Sequence, residues 1–154
     1  MTTEIERKFL VPAPPDPDVL GSGTRLRQGY VAEDGEVQVR VRIAGGAGTL
    51  TVKAGRGLTR TEVEVAVGSG EAEALWPHTG GRRVEKVRHR VSVGEAVADV
   101  DVYEGHLAGL CTAEVEFASE DAAHAFRPPA WFGRELTDEP GWDNASLARN
   151  GRPA

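Results

Sequence analysis

Val37-Gln38-Val39-Arg40-Val41-Arg42-Ile43 alternates apolar and polar side chains without a break. A strand sends successive side chains to opposite faces. The valines and the isoleucine therefore share one face, and Gln38, Arg40 and Arg42 share the other. In an ordinary half-buried strand that polar face meets water, with mixed charges and threonine. Here it holds two arginines about 7 Å apart, the spacing of i and i+2 on a strand. Like charges that close repel, so the pair needs an anion or opposing carboxylates.

The same alternation recurs on both sides of this stretch. Strands are expected over residues 3–11, 25–32, 37–43, 49–53, 60–67, 84–93, 97–103 and 112–117. Glycine clusters at Gly45-Gly46-Ala47-Gly48 and Gly55-Arg56-Gly57 read as turns, and Pro12-Ala13-Pro14-Pro15-Asp16-Pro17 reads as a rigid connector. Helices are expected over residues 71–76, from Ser119 to before Pro128, and from Asp143 to Gly151. Strands dominate and follow one another. This favours a mainly β, antiparallel meander or barrel with a few flanking helices over a parallel α/β sheet.

The polar faces separate by sign. Acidic pairs are Glu4 with Glu6, Glu62 with Glu64, Asp99 with Asp101, and Glu114 with Glu116. Basic groups are Arg40 with Arg42, Lys53, Lys86 with Arg88 and Arg90, and Lys8 follows the first acidic pair. If the sheet closes with these faces inward, its lumen must be wet, because unpaired buried charge is too costly. A barrel of about eight strands has room for one small ligand. The cations suit phosphate oxygens. The carboxylates, with no clustered His or Cys, suit Mg²⁺ or Mn²⁺ better than Zn²⁺. Phosphate with such a metal points to phosphoryl transfer or hydrolysis.

The chain has 154 residues and a formal net charge of −6, which fits one domain over residues 1–154 and argues against nucleic acid or an anionic membrane as partner. The single cysteine, Cys111, excludes an intrachain disulfide and reads as a small buried group. No signal peptide or transmembrane run is visible, so a cytoplasmic location is expected. No P-loop motif occurs. The histidines are scattered, and Trp76, Trp131 and Trp142 read as packing groups. Oligomeric state stays open.

Glu4-Ile5-Glu6-Arg7-Lys8, followed by Phe9-Leu10-Val11, resembles the Glu-x-Glu-x-Lys signature of the CYTH family, the triphosphate tunnel metalloenzymes. Similar matches run in order through Leu26-Arg27-Gln28-Gly29-Tyr30, Val39-Arg40-Val41-Arg42, Thr51-Val52-Lys53, Glu62-Val63-Glu64, Arg83-Val84-Glu85-Lys86-Val87-Arg88, Asp101-Val102-Tyr103 and Glu114-Val115-Glu116-Phe117. The resemblance is nearest to short bacterial inorganic triphosphatases. It implies an eight-stranded antiparallel tunnel that hydrolyses inorganic triphosphate to pyrophosphate and phosphate. It implies substrate ligands Lys8, Arg40, Arg42, Lys53, Lys86 and Arg88. It implies metal ligands drawn from Glu4, Glu6, Glu62, Glu64, Asp101, Glu114 and Glu116, holding Mg²⁺ or Mn²⁺.

Lys53 and Lys86, approaching each other across the tunnel, are candidate bases, since a like charge depresses a lysine pKa. Lys8 is a further candidate, and Tyr30 is expected either to orient substrate or to pack. Asp99 and Arg90 read equally as a structural ion pair. Alternatives on the same tunnel are a class IV-type adenylate cyclase, a thiamine or nucleoside triphosphatase, or a non-catalytic binder of polyphosphate or other triphosphates. Whether the last helix closes a tunnel mouth stays open.

Overall fold

The structure, a computed structural model, describes residues 2–154. Its strands are β1 (Thr2–Leu10), β2 (Gly23–Asp34), β3 (Val37–Ala44), β4 (Ala47–Ala54), β5 (Thr59–Val67), β6 (Arg83–Val93), β7 (Ala96–Tyr103) and β8 (Cys111–Glu116). They close into a barrel in the order β1-β5-β4-β3-β2-β6-β7-β8, every neighbouring pair antiparallel. Two meanders, β2 to β5 and β6 to β8, account for most of the wall. The expected strands and their closure are all present, with ends shifted by a few residues.

Two local differences have clear causes. The β3–β4 turn is shorter than expected, only Gly45 and Gly46, with Gly45 at φ +59°. Ala47 and Gly48 instead belong to β4. Gly48 lies under a helix, and a Cβ there would come within 2.7 Å of the Ala72 methyl. The proline-rich connector ends in a short helix, α1 (Pro17–Leu20), with Pro17 at its first turn. Proline is well suited there, because that N–H has no intrahelical partner.

Apolar outer faces are covered in two places. Helix α2 (Ser69–Leu75) places Ala72, Leu75 and the following Trp76 over Val41, Ile43 and Leu50. Helix α3 (Glu120–Ala125), capped by the Ser119 hydroxyl, leads into Phe126 and Phe132, which stack around Phe9 on the outside of β1. Cys111 is buried in this second cluster. A third cluster forms where α4 (Asn144–Asn150), with Trp142 and Leu136, packs on Tyr30, Val84 and Tyr103. No helix among the described residues is long and apolar enough to cross a membrane.

β1 is the seam. Its first half, Thr2 to Ile5, pairs with β5, and its second half, Glu6 to Leu10, pairs with β8. The gap beside the second half is filled by residues 133–136. Gly133 N–H donates to Leu10 O (2.6 Å), Leu10 N–H to Arg134 O (2.8 Å), and Leu136 N–H to Lys8 O (2.7 Å). Arg7 locks this splice from outside through two bonds to the Glu135 carboxylate (2.9 and 2.7 Å) and one to Ala123 O (2.8 Å).

Candidate functional site

Alternation and register together decide which side chains enter the lumen. Glu4 faces Arg60, Glu6 faces Glu116, and Lys8 faces Glu114. Lys53 faces Glu62 and Gln38, Arg40 faces Thr51 and Tyr30, and Arg42 faces Gln28. Lys86 lies beside Tyr103, Arg88 beside Asp101, and Asp99 beside Glu114. The ring order then turns a strand-by-strand pattern into two walls. Strands β7, β8, β1 and β5 are contiguous and carry the carboxylate pairs. Strands β4, β3, β2 and β6 are contiguous and carry the basic groups.

On the acidic wall, Glu4 contacts Lys53 (3.3 Å) and Arg60 (3.5 Å), and Glu6 contacts Arg60 (2.6 Å). Lys53 also reaches Glu62 (3.5 Å), and Lys8 reaches Glu114 (3.7 Å). Burial, then the nearby Glu114, raises the Glu6 carboxyl to about 8. Burial and Glu4 also push Glu116 up. Glu62 is raised by burial and by its hydrogen bond with Glu4. Glu4 moves down, because Lys53 and Arg60 outweigh its burial. Glu114 lies well below the usual carboxylate range, since Lys8, Lys86 and Arg88 overcome its burial. Glu64 is exposed.

On the basic wall, Arg40 is buried and reaches the Thr51 hydroxyl at 3.3 Å. Burial and the charges of Arg40 and Arg88 lower Arg42 to about 10. Lys86 is fully buried, 2.7 Å from Asp101. Asp101 in turn accepts from two Arg88 nitrogens, Nε and Nη2, at 2.8 and 2.9 Å. Burial lowers Lys86 to about 7 against the pull of Asp101. The expected cause was the like charge of Lys53. The structure instead directs Lys53 to Glu4 and Glu62, and the like charges acting on Lys86 are Arg88 and Arg42.

A cavity of about 330 Å³ opens between strands β1 to β5, β8 and the C-terminal segment, lined by Glu6, Lys8, Tyr30, Lys53, Arg60 and Glu114 among others. Tyr30 both faces this cavity and packs in the apolar cluster with Trp142. The Lys8 ammonium donates to Trp142 O (2.6 Å), and Asp143 accepts from Gln38 (3.3 Å) while capping α4. The C-terminal segment thus covers part of one mouth. Arg90 is exposed beside Asp99 at 3.8 Å, the ion-pair arrangement.

Arg60 was missed among the expected site residues. It shares the parity of Glu62 and so projects inward, but it breaks the pattern of one sign per strand. Gln38 and the main chain at Trp142 were missed too; the latter carries no side-chain signal.

The carboxylates fit a hard divalent cation in donor chemistry. All donors are oxygens. Glu4 Oε2 is buried without a hydrogen bond, and Glu6 is crowded by Glu114 and Glu4. Among the described residues, no three His, Cys, Asp or Glu side chains already form a metal cage. Lys53 and Arg60 lie among the carboxylates instead.

A CYTH domain model matches residues 2–141. An inorganic triphosphatase of Nitrosomonas europaea is 44% identical over 148 residues, covering 95% of this chain and 97% of that protein. An inorganic triphosphatase of Acetivibrio thermocellus is 36% identical over 152 residues, covering 97% and 96%. A crystal structure of an inorganic triphosphatase superposes with a TM-score of 0.71 at 41% identity, covering 100% of this chain and 99% of that one. A putative adenylyl cyclase from Hippeastrum, described as having dominant triphosphatase activity, gives a TM-score of 0.59 at 14% identity over 79% of this chain and 82% of that one, a likeness of fold alone.

Proposed function

The chain belongs to the CYTH domain family, and we propose on that premise that it is an inorganic triphosphatase, splitting tripolyphosphate into pyrophosphate and phosphate. The observation that carries this reading is the lumen with a carboxylate wall facing a guanidinium and ammonium wall. A compact polyanion matches the second wall, and a divalent cation relieves the first.

Arg40, Arg42, Lys86 and Arg88 bind and orient the phosphoryl chain, with Lys8 and Lys53 reaching it from the flanking strands. Arginine suits this work because its planar fork binds phosphate oxygens in pairs. Held by Glu4, Glu6, Glu62, Glu114 and Glu116, Mg²⁺ or Mn²⁺ would neutralise phosphate charge and favour deprotonation of water. Glu64, exposed like Glu116 and accepting from the Thr51 hydroxyl at 3.4 Å, is a further candidate on that wall, and Asp101, engaged by Lys86 and Arg88, stands outside the set.

Water attacks the terminal phosphorus in line. The phosphorus–oxygen bond to the pyrophosphate leaving group breaks, and a water proton passes to a base. Lys86 is the candidate: a lysine held near 7 has a neutral amine available at working pH. Asp101 then stabilises the ammonium that forms.

The test is phosphate release from tripolyphosphate, ATP and thiamine triphosphate, with Mg²⁺ and Mn²⁺ in turn, and separation of products including cyclic AMP. Tripolyphosphate is expected as the preferred substrate, with no turnover in chelator. Release of phosphate from none of the three overturns the reading; cyclic AMP as the main product reassigns it to a cyclase.

A further inference from the structure

Gln28 sits on the inner face of β2, opposite Arg42 on one side and Val84 on the other. It is a polar, uncharged member of the basic wall, and its side chain is fully buried. Arg42 Nε donates to Gln28 Oε1 at 2.9 Å. That bond decides which way the amide points, because a guanidinium nitrogen can only donate and must meet the oxygen. The amide nitrogen, Nε2, therefore faces elsewhere, and it has no hydrogen-bond partner.

Buried amide donors are almost always satisfied. On the adjacent strand, Arg40 Nε is also buried without a partner. Gln28 with Arg42, and Tyr30 with Arg40, are neighbouring pairs on the same face, two residues apart, so both orphan donors belong to one patch of β2–β3. The patch has donors in excess and lacks an acceptor. A chain of phosphoryl groups is an acceptor-rich ligand of the kind such a patch lacks.

We propose that Gln28 contacts the substrate directly: its side-chain N–H₂ donates to a phosphoryl oxygen while its carbonyl oxygen holds Arg42 in line. This rests on the triphosphatase reading and adds to it a neutral donor among the charged ones. A neutral donor discriminates by geometry, because it binds oxygen only where the amide points.

The experiment measures tripolyphosphate binding in chelator by calorimetry, and KM with metal, for Gln28→Met and Gln28→Glu, and for Gln28→Met combined with Arg42→Ala. A hydrogen bond to a charged acceptor predicts that Gln28→Met weakens binding and raises KM roughly 10–100-fold. The same factor should persist in the Arg42→Ala background, since the amide's own bond is what is lost. Gln28→Glu keeps the bond to Arg42 and the side-chain size, so the ligand-free protein should melt no lower than wild type. Its triphosphate affinity should fall at least as far as that of Gln28→Met.

Unchanged binding in Gln28→Met, or wild-type affinity in Gln28→Glu, overturns the proposal. A loss that vanishes in the Arg42→Ala background also overturns it, because Gln28 would then act only by positioning Arg42. Failure of the parent reading looks different: the wild-type protein would neither bind nor cleave tripolyphosphate.

Discussion

Burial gives Lys86 and Glu6 opposite tasks. Lys86 is drawn down to about 7, so its amine is neutral above that pH and protonated below it. Activity limited by this base should fall as pH drops through about 7. Lys86→Arg keeps a positive charge but cannot lose its proton. Its kcat should drop by roughly 10²–10⁴, the usual contribution of general base catalysis, and the acid limb of the pH–rate profile should vanish. An unaltered limb would leave Lys86 as a phosphate anchor. Glu6 is raised to about 8 from 4.5. Its folded form therefore binds a proton more readily than its unfolded form, and the stability this gives is present below about 4.5 and lost as pH rises through about 8. Glu6→Gln should raise the metal-free Tm at pH 9 by ~2–8 °C while leaving it nearly unchanged at pH 4, as followed by calorimetry.

Among the elements, β1 depends most on its neighbours. Arg7 clamps the 133–136 splice to it through Glu135, and it also satisfies Ala123 O and Phe126 O. Arg7→Ala removes these bonds and leaves Phe126 O without its donor, and should cost ~1.5–3 kcal/mol in urea unfolding. Asp143→Ala removes the α4 cap and the Gln38 contact, with an expected loss of ~1 kcal/mol. The strands themselves were legible because each is an unbroken alternation, as in residues 37–43. The splice was not. Gly133-Arg134-Glu135-Leu136 binds β1 through main-chain groups, which leave no mark on side-chain type. α1 was hidden in a proline run, and Arg60 by a change of sign at the end of an acidic strand.

Across the whole molecule, the charge segregation was readable but the ring order was not. Sequence places β1 next to β2, whereas the barrel inserts β5, β4 and β3 between them. Only that order gathers the acidic strands into one wall. It also sets Lys53 and Lys86 on strands that β3 and β2 separate. A wall of carboxylates held by Lys53 and Arg60 should gain stability from a better cation. Saturating Mn²⁺ at 100 times its Kd should add about 2.7 kcal/mol and raise the melting temperature, with chelator reversing the shift.

A closed ring has no exposed edge to template a neighbouring chain, yet this ring is joined differently at one strand. β3 and β4 are paired on both sides along nearly their whole lengths, whereas β1 is shared half and half and completed by a borrowed segment. The barrel should therefore breathe at β1. In deuterium exchange, the amides of Leu10 and Leu136 should take up label well before those of Val41 and Leu50. Glu6 and Lys8 would then lie on the wall's most mobile slat, and filling the lumen with metal and pyrophosphate should slow uptake there first.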